Sequence, residues 1–467
     1  MPNIFGILVF YSWPLVVFWL LSKYPTKQAI FFAITLAIMF LPNGFSVDFP
    51  LIPPIDRETL TALSLSVFLF FTGKKFKLFP PGIPSKILIG YLIVLVISTE
   101  LNSDAFVIGD KFFPALTHHD AFSTIVRSLL TLMPFFLGRF FLNNVEDNEK
   151  IFKSLVILGL IYTPFMLIEL RLSPQFQNWV YGYSNIDFLQ QMRNEGYRPT
   201  VFYGHGLNLA FWVSTCLIAA IALQKNKVRV SMFSASKIVI YLSIILILCK
   251  TWSAMAYAML GLLLIFKLKP VKQTKWALII AVIVFTYPAA KISGIFPDRE
   301  IISTIQQYSP ERAQSLEFRF DNETILLARA LERPYFGWNG WGRNRVYDSN
   351  GKDVSVTDGK WIIELGINGF MGFIFFYTIL LMPLYYAHKN IENIEDPRQK
   401  VYFAALAIML AICIFDSVPN TGMGVMHWLF AGALLGQSEM LAKQKKLAAS
   451  KNLKPFDQKK IKINTQR

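Results

Sequence analysis

The chain has 467 residues, of which 54% are apolar and 16% are charged, and its mean hydropathy is +0.43. A soluble domain carries about 25% charged residues, so this composition excludes a water-soluble protein and predicts a polytopic membrane protein. The formal net charge of +16 does not indicate a nucleic-acid partner, because the basic residues lie in short loops between apolar runs.

The apolar runs predict an all-α polytopic membrane protein with about 12–14 transmembrane helices and a large, partly helical external loop. The predicted spans lie near residues 4–22, 28–42, 59–73, 86–100, 121–142, 151–170, 205–223, 237–250, 252–268, 276–290, 359–386, 401–416 and 424–441. The first ten form a bundle over residues 1–290, which includes an external loop at 171–204. A second external loop at 291–358 precedes the last spans, within 359–441, and a basic tail occupies 442–467.

Loop charge predicts the orientation of the bundle. The loops near 74–86, 225–237 and 267–275 contain several lysines and no acid, a pattern typical of the cytoplasmic side. The C-terminus is then cytoplasmic, and we expect the tail at 442–467 to be disordered and to lie along anionic headgroups. Arg139, inside the predicted span 121–142, is expected to extend towards the same headgroups.

The loop at 291–358 contains a predicted helix from about residue 310 to 333. It begins at Ser309-Pro310-Glu311, which supplies a cap, a proline at the first helical position and an acid in the first turn. At about 100° per residue, one apolar stripe comprises Leu316, Phe320, Leu327 and Leu331. A neighbouring cationic sector comprises Arg312, Arg319, Arg329 and Arg333.

Arginine is the chemically distinctive residue of the external loops. Its planar fork binds phosphate in a bidentate manner and stays charged at physiological pH. The alternative is a set of headgroup contacts and ion pairs with loop acids. We favour an anion site, because the excess of Lys and Arg in cytoplasmic loops, which sets orientation, does not account for arginines on the external side. The candidates are Arg193, Arg198, Arg312, Arg319, Arg329, Arg333, Arg343 and Arg345.

The sequence offers no site for a metal or a nucleotide. The five histidines lack the spacing of metal ligands, and no Walker-type glycine loop is present. We therefore expect chemistry without a metal or another cofactor.

Two segments of the chain form a recognisable pattern. The first is RPTVFYGHGLN, beginning at Arg198, and the second is FRFDNETILLARALERPYFGWNGWGR, beginning at Phe318, followed by TDGKWIIELGINGFMG. Both resemble the O-antigen ligase and O-antigen polymerase superfamily of bacterial envelope glycosyltransferases. The resemblance covers roughly residues 120–385. It implies a GT-C-like helical bundle that acts on an undecaprenyl-diphosphate-linked glycan donor and a glycan or lipid acceptor. It also implies the periplasmic face of the bacterial inner membrane.

The resemblance places Arg198 and Arg319 at the positions that hold the diphosphate. Where many members carry Ser-Arg in a short external turn, this chain has Lys250, which supplies a positive charge. We add Arg343, from the long loop, to the expected diphosphate-binding residues.

Two residues are candidates for a general base. Where ligases carry a His-Asn pair, this chain reads Asp358-Gly359, so the role falls to Asp358 or is lost. His205, close to Arg198 in sequence, is the second candidate. The alternatives are that Asp358 caps the following helix and that His205 is an interfacial histidine with satisfied hydrogen bonds.

These features favour a metal-independent, inverting glycosyltransferase that polymerises or ligates lipid-linked oligosaccharides for O-antigen, exopolysaccharide or another surface polysaccharide. The missing His-Asn pair favours polymerase over ligase. The alternatives are a polytopic transporter or a flippase of lipid-linked glycans without glycosyl transfer, and an assembly subunit without its own activity. A chain-length regulator or assembly partner is compatible with these interpretations, and membrane lipids surround the chain.

Overall fold

The computed structural model describes residues 1–49, 53–74, 76–193, 196–340, 342–421 and 424–451. Its apolar runs are helical, as expected for segments in lipid, where backbone groups must be satisfied within the segment. The helices are α1 (Ile4–Lys23), α2 (Thr26–Phe40), α3 (Arg57–Phe71), α4 (Ile83–Glu100), α5 (His118–Thr131), α6 (Met133–Phe141), α7 (Asn148–Leu172), α8 (Phe176–Tyr181), α9 (Phe188–Gln191), α10 (Gly206–Lys225), α11 (Ala235–Leu248), α12 (Trp252–Lys267), α13 (Pro270–Ile292), α14 (Asp298–Gln306), α15 (Pro310–Leu331), α16 (Lys360–Asn390), α17 (Pro397–Asp416) and α18 (Val425–Lys451).

Short elements occupy the connections. Two 3-10 turns cover Val145–Asp147 and Ile391–Asn393. Antiparallel hairpins pair β1 (Ser46–Val47) with β2 (Ile55–Asp56), β3 (Phe106–Ile108) with β4 (Lys111–Phe113), β5 (Met192–Arg193) with β6 (Gly196–Tyr197) and β7 (Arg229–Val230) with β8 (Phe233–Ser234). The all-α polytopic fold is confirmed. In the described ranges, eight helical segments are long and apolar enough to cross a membrane, and three further apolar helices are shorter.

Each predicted span coincides with helical structure, with two differences in detail. The span predicted at 121–142 is divided into α5 and α6 at Leu132, because Pro134 in the first turn of α6 cannot donate a backbone hydrogen bond. The last helix, α18, continues to Lys451 and so includes the beginning of the predicted tail. The remainder of that tail, 452–467, lies outside the described residues.

Successive spans alternate between two ends of the bundle. At one end, which we call the outer end, the backbone of Lys360, the first residue of α16, donates to the carbonyl of Ser417 after α17, at 2.9 Å. At the inner end, Lys27 of α2 pairs with Asp147 before α7, at 2.6 Å. The basic loops after α3, α10 and α12 all lie at the inner end. The two long loops, 171–204 and 291–358, lie at the outer end.

Glycines allow α6 and α18 to pack closely near the inner end. A Cβ on Gly436 would lie 2.1 Å from the carbonyl oxygen of Arg139, so only glycine permits this approach. The close packing brings Arg139 to Glu439, with its Nε and Nη2 2.9 and 2.6 Å from the carboxylate oxygens. The prediction that Arg139 extends to the headgroups is therefore wrong. Its side chain is buried and paired within the bundle.

A break in α16 joins the long loop to the bundle. Gly369 has a φ of 64°, and a Cβ there would lie 2.4 Å from the backbone of Tyr335. The chain at 334–339 fills the break and replaces the lost helical bonds. Its backbone bonds to α16 are Trp338 N to Gly366 O, Asn339 N to Ile367 O, Phe370 N to Pro334 O and Met371 N to Tyr335 O, at 2.7–3.1 Å.

The loop helix α15 covers Pro310–Leu331, within the stretch 310–333 predicted to be helical, and Ser309 is its N-cap residue. Its buried face differs from the predicted stripe. Leu331 is 41% exposed, whereas Glu323 is buried. Glu323 can be buried because Tyr287 and Trp361 donate hydrogen bonds to its carboxylate, at 2.8 and 3.2 Å.

A candidate anion site at the outer end

A buried carboxylate positions the segment that carries Arg198. Glu169, near the end of α7, accepts hydrogen bonds from the backbone of Thr200 and Val201, at 2.6 and 2.7 Å. Arg57 of α3 donates to the carbonyl of Phe202, at 2.7 Å. These contacts hold the chain between Arg198 and α10 in one conformation.

Arg198 itself lies against the beginning of α10. A Cβ on Gly206 would be 2.8 Å from the Cβ and 3.2 Å from the Cδ of Arg198, so glycine is required for this approach. The backbone of Arg198 donates to the carbonyl of Gln191, at 2.8 Å. Its Nε is buried and has no hydrogen-bond partner among the described residues. The site therefore contains an unsatisfied donor on a cationic side chain.

Three further arginines surround Arg198. Burial, followed by the positive charges of Arg193, Arg312 and Arg319, lowers the pKa of Arg198 to about 10. We call Arg193, Arg198, Arg312 and Arg319 the arginine cluster. The guanidinium of Arg312 stacks on the Trp252 ring, 4.1 Å from its centroid. The cluster thus combines residues from the loop at 171–204 and from α15.

The arginine cluster has little compensating negative charge. Among the described residues, the single ion pair of the cluster joins Arg319 Nε to Asp358 Oδ2, at 3.4 Å. The same arginine donates to the carbonyl of Pro419, also at 3.4 Å. Since like charges disfavour one another, a site with four cations and one paired acid favours binding of an anion.

A cleft of about 50 Å³ adjoins the cluster at Arg319 and Asp358. Its lining is completed by Tyr287, Glu323 and apolar side chains. Burial raises the pKa of Glu323, in spite of its bonds from Tyr287 and Trp361 and the nearby Lys291. The cleft therefore offers both charged and apolar surface beside the arginines.

His205 is the N-cap of α10. Its Nδ1 accepts a hydrogen bond from the backbone of Leu207, at 3.1 Å, which leaves Nε2 to carry the proton and donate to Gln190 Oε1, at 3.3 Å. Burial first, and then the charges of Arg198, Arg193 and Arg319, lowers the pKa of His205. His205 is thus a neutral capping residue next to the cluster.

Asp358 and Lys250 also border the cluster. Asp358 does not cap α16, whose N-cap residue is Gly359 without a side-chain bond, and its carboxylate is 38% exposed beside Arg319. Lys250 donates to the carbonyl of Arg193, at 3.0 Å. The lysine therefore supports the β5–β6 hairpin that carries Arg193.

Arg343 does not join the arginine cluster. It is 3% exposed, and its guanidinium donates to the carbonyls of Pro114 and Asp104, at 2.9 and 3.1 Å. Arg333 pairs with the carboxylate of Asp104 at 2.6 Å, and this bond lowers the pKa of Asp104. Arg329 donates to the carbonyl of Arg343, at 3.2 Å. We call Asp104, Arg329, Arg333 and Arg343 the Asp104 network.

The helical rise separates the two groups of arginines. At about 1.5 Å per residue, Arg329 lies about 15 Å along α15 from Arg319. The structure therefore brings together Arg198, Arg319, Asp358, His205 and the backbone held by Lys250. It places Arg343 in a separate network.

The sequence analysis did not single out Asp416 and Tyr257. Asp416 ends α17 and is 9% exposed. Its carboxylate accepts a hydrogen bond from Asn420 Nδ2, at 2.8 Å, and lies near the hydroxyl of Tyr257. The charge of Arg319 acts on both Asp416 and Tyr257. The available signal was that Asp416 is the sole acid in an apolar helix, where ionisable residues are usually functional.

Comparison with known proteins does not add to this description. The chain matches no protein-family model and no curated protein. Within the described ranges, no group of three His, Cys, Asp or Glu side chains is arranged to hold a metal ion.

Proposed function

We propose that the arginine cluster binds the diphosphate of a lipid-linked glycan and that the protein transfers this glycan to an acceptor. The observation that carries the proposal is the gathering of three guanidinium groups near that of Arg198, with one paired carboxylate. A diphosphate presents several anionic oxygens and can accept bonds from more than one guanidinium. It would also satisfy the buried Nε of Arg198.

The position of Arg312 supports a donor that is anchored in the membrane. Its partner Trp252 begins α12 and is 64% exposed, as expected for an aromatic side chain at a membrane interface. The cluster therefore borders the lipid on the side of α12. A diphosphate attached to a prenyl chain could reach the arginines while its chain stays in the bilayer.

Glycosyl transfer follows from this arrangement. The acceptor hydroxyl oxygen attacks the anomeric carbon as the bond to the diphosphate oxygen breaks, which inverts the configuration at that carbon. Undecaprenyl diphosphate leaves with the electron pair, and prepositioned cations stabilise the negative charge that develops on it. Arg198 and Arg319 have this role, with Lys250 supporting the backbone of Arg193.

The loop charges support a location for the reaction. The basic loops lie at the end of the bundle opposite the arginine cluster, so the orientation rule assigns the cluster to the periplasmic side of a bacterial inner membrane and the C-terminus to the cytoplasm. We propose a polymerase or ligase in surface polysaccharide biosynthesis, and favour polymerase. The resemblance of the segments at Arg198 and Phe318 to the O-antigen ligase and polymerase superfamily agrees with this proposal.

The test uses purified protein in nanodiscs, with an undecaprenyl-diphosphate oligosaccharide as donor. We expect a longer or transferred glycan from the wild type, and an intact donor after Arg198→Ala. Arg345→Lys is the matched control, because Arg345 pairs with Asp353 and Thr357 outside the cluster. Equal activity of both variants would remove Arg198 from the site.

Transport is the second possible outcome of this test. Counterflow of labelled lipid-linked glycan in proteoliposomes, without a covalent change, would identify a transporter or flippase. Donor binding without either activity would identify an assembly subunit.

A further inference from the structure

We propose that Asp416 accepts the proton of the acceptor hydroxyl during glycosyl transfer. This inference rests on the proposed function and adds a catalytic residue to it. It is based on the placement of a carboxylate at the end of a membrane-spanning helix, next to the arginine cluster.

The surroundings of Asp416 are unusual for a structural acid. It is buried at the end of a 20-residue apolar helix. The Asn420 amide, which donates to its carboxylate, and the Tyr257 hydroxyl near it are both neutral. In the described part of the chain, no lysine or arginine lies within ion-pair distance of it. An acid retained in such a place without a direct counter-charge indicates a function.

Asp416 precedes a segment of the chain that contacts the cleft. The chain that follows it, at Val418 and Pro419, lines the cleft beside Arg319. Arg319 donates to the carbonyl of Pro419, and its charge acts on both Asp416 and Arg198. The acid and the proposed diphosphate-binding residues therefore share one end of the bundle and one cationic neighbour.

The other candidate bases are committed to different partners. Asp358 is paired directly with Arg319. Glu323 accepts bonds from Tyr287 and Trp361 and lies 3.4 Å from the ammonium of Lys291. His205 uses the Nδ1 lone pair to cap α10, as described above. A carboxylate has about four acceptor sites, so the bond from Asn420 leaves capacity for a hydroxyl at Asp416.

The proposed step is balanced. The acceptor oxygen forms its bond to the anomeric carbon as the bond to the diphosphate breaks, and the hydroxyl proton passes to the Asp416 carboxylate. The proton is then released to water. Tyr257 acts as a positioning residue, because its hydroxyl fixes the orientation of the carboxylate.

The decisive variant is Asp416→Asn. The amide keeps an oxygen that can accept from Tyr257 and Asn420, so a merely structural role predicts normal activity. A proton acceptor predicts a fall in turnover of about 100-fold or more, within the range that general-base catalysis supplies. The affinity for undecaprenyl diphosphate should stay unchanged. Asp396→Asn is the control, since Asp396 caps the inner end of the same helix.

A second variant guards against misfolding. We expect acetate to restore part of the turnover of Asp416→Ala, and Tyr257→Phe to lower kcat with little change in KM for the donor. Normal turnover of Asp416→Asn, or loss of donor affinity in it, would overturn the inference. Neither result affects the proposed function, which fails instead if the wild type and Arg198→Ala bind the donor equally.

Discussion

The two halves of α15 carry the same residue type with opposite surroundings. In the N-terminal half, Arg312 and Arg319 face Arg198, and one carboxylate pairs with the group. In the C-terminal half and directly after its end, Arg329 and Arg333 bind acids and carbonyls of the protein itself. An arginine that pairs with acids and carbonyls of its own chain stabilises the fold. An arginine that meets mainly other arginines is suited to a ligand.

The largest expected effect is on stability, in the Asp104 network. Arg343→Ala should lower the free energy of unfolding by about 3–5 kcal/mol, because the carbonyls of Trp338, Pro114 and Asp104 lose their donor, at about 1–3 kcal/mol each. Donor affinity should stay unchanged, since Arg343 lies outside the arginine cluster. Denaturation of the purified protein and titration with the donor measure the two quantities. A stable Arg343→Ala variant that binds the donor weakly would instead place Arg343 in the ligand site.

The complementary change, Arg198→Ala, should affect binding and leave stability intact. Loss of a charge-assisted bond of about 1.5–3 kcal/mol corresponds to a fall in donor affinity of about 10- to 100-fold. The melting temperature should not fall, because the described residues form no ion pair with Arg198. Arg198→Lys should retain part of the affinity. A destabilisation as large as that of Arg343→Ala would contradict the distinction between the two halves.

A smaller effect is expected from Gly206→Ala. The added Cβ would lie 2.8 Å from the Cβ of Arg198 and displace it, which should weaken donor binding about tenfold, within the 1–3 kcal/mol typical of overpacking. Gly261→Ala provides a matched control, because its Cβ would be equally close, 2.8 Å, to Ile218 but remote from the cluster. If both variants bind the donor alike, the position of Arg198 is not critical.

The smallest effect concerns pH. Donor affinity should change little between about pH 7 and pH 9 and should weaken as the pH rises through about 10, where Arg198 loses its proton. The free energy of unfolding should instead increase with pH in this range. Because the folded-state pKa lies below the ordinary 12.5, the folded protein binds this proton more weakly, so stability increases above about pH 10. Isothermal titration at several pH values tests the first trend, and the same series on Arg198→Ala should lose it.

The sequence predicted the elements whose signals are local. Long apolar runs located the spans, and Ser309, Pro310 and Glu311 marked the beginning of α15. The resemblance and the external position pointed to Arg198 and Arg319, which the structure brings close enough for their charges to interact.

The remainder depends on contacts that are distant in sequence. Arg343 was grouped with the ligand-binding arginines because nothing local reveals its bond to Asp104, 239 residues away. Arg139 was expected at the headgroups because Glu439, its partner, belongs to the last helix. Asp416 was missed because the candidate residues were chosen mainly from the external loops, although an acid in an apolar helix is itself a signal.

The break in α16 determines how the site can open. The chain at 334–339 is bonded into α16 around Gly369, and the Asp104 network anchors the adjoining end of α15. The C-terminal end of α15 is therefore fixed to the bundle. Under the proposed function, entry of a donor would therefore involve the opposite end of the helix, where Arg312 stacks on Trp252, while the junction with the bundle stays intact.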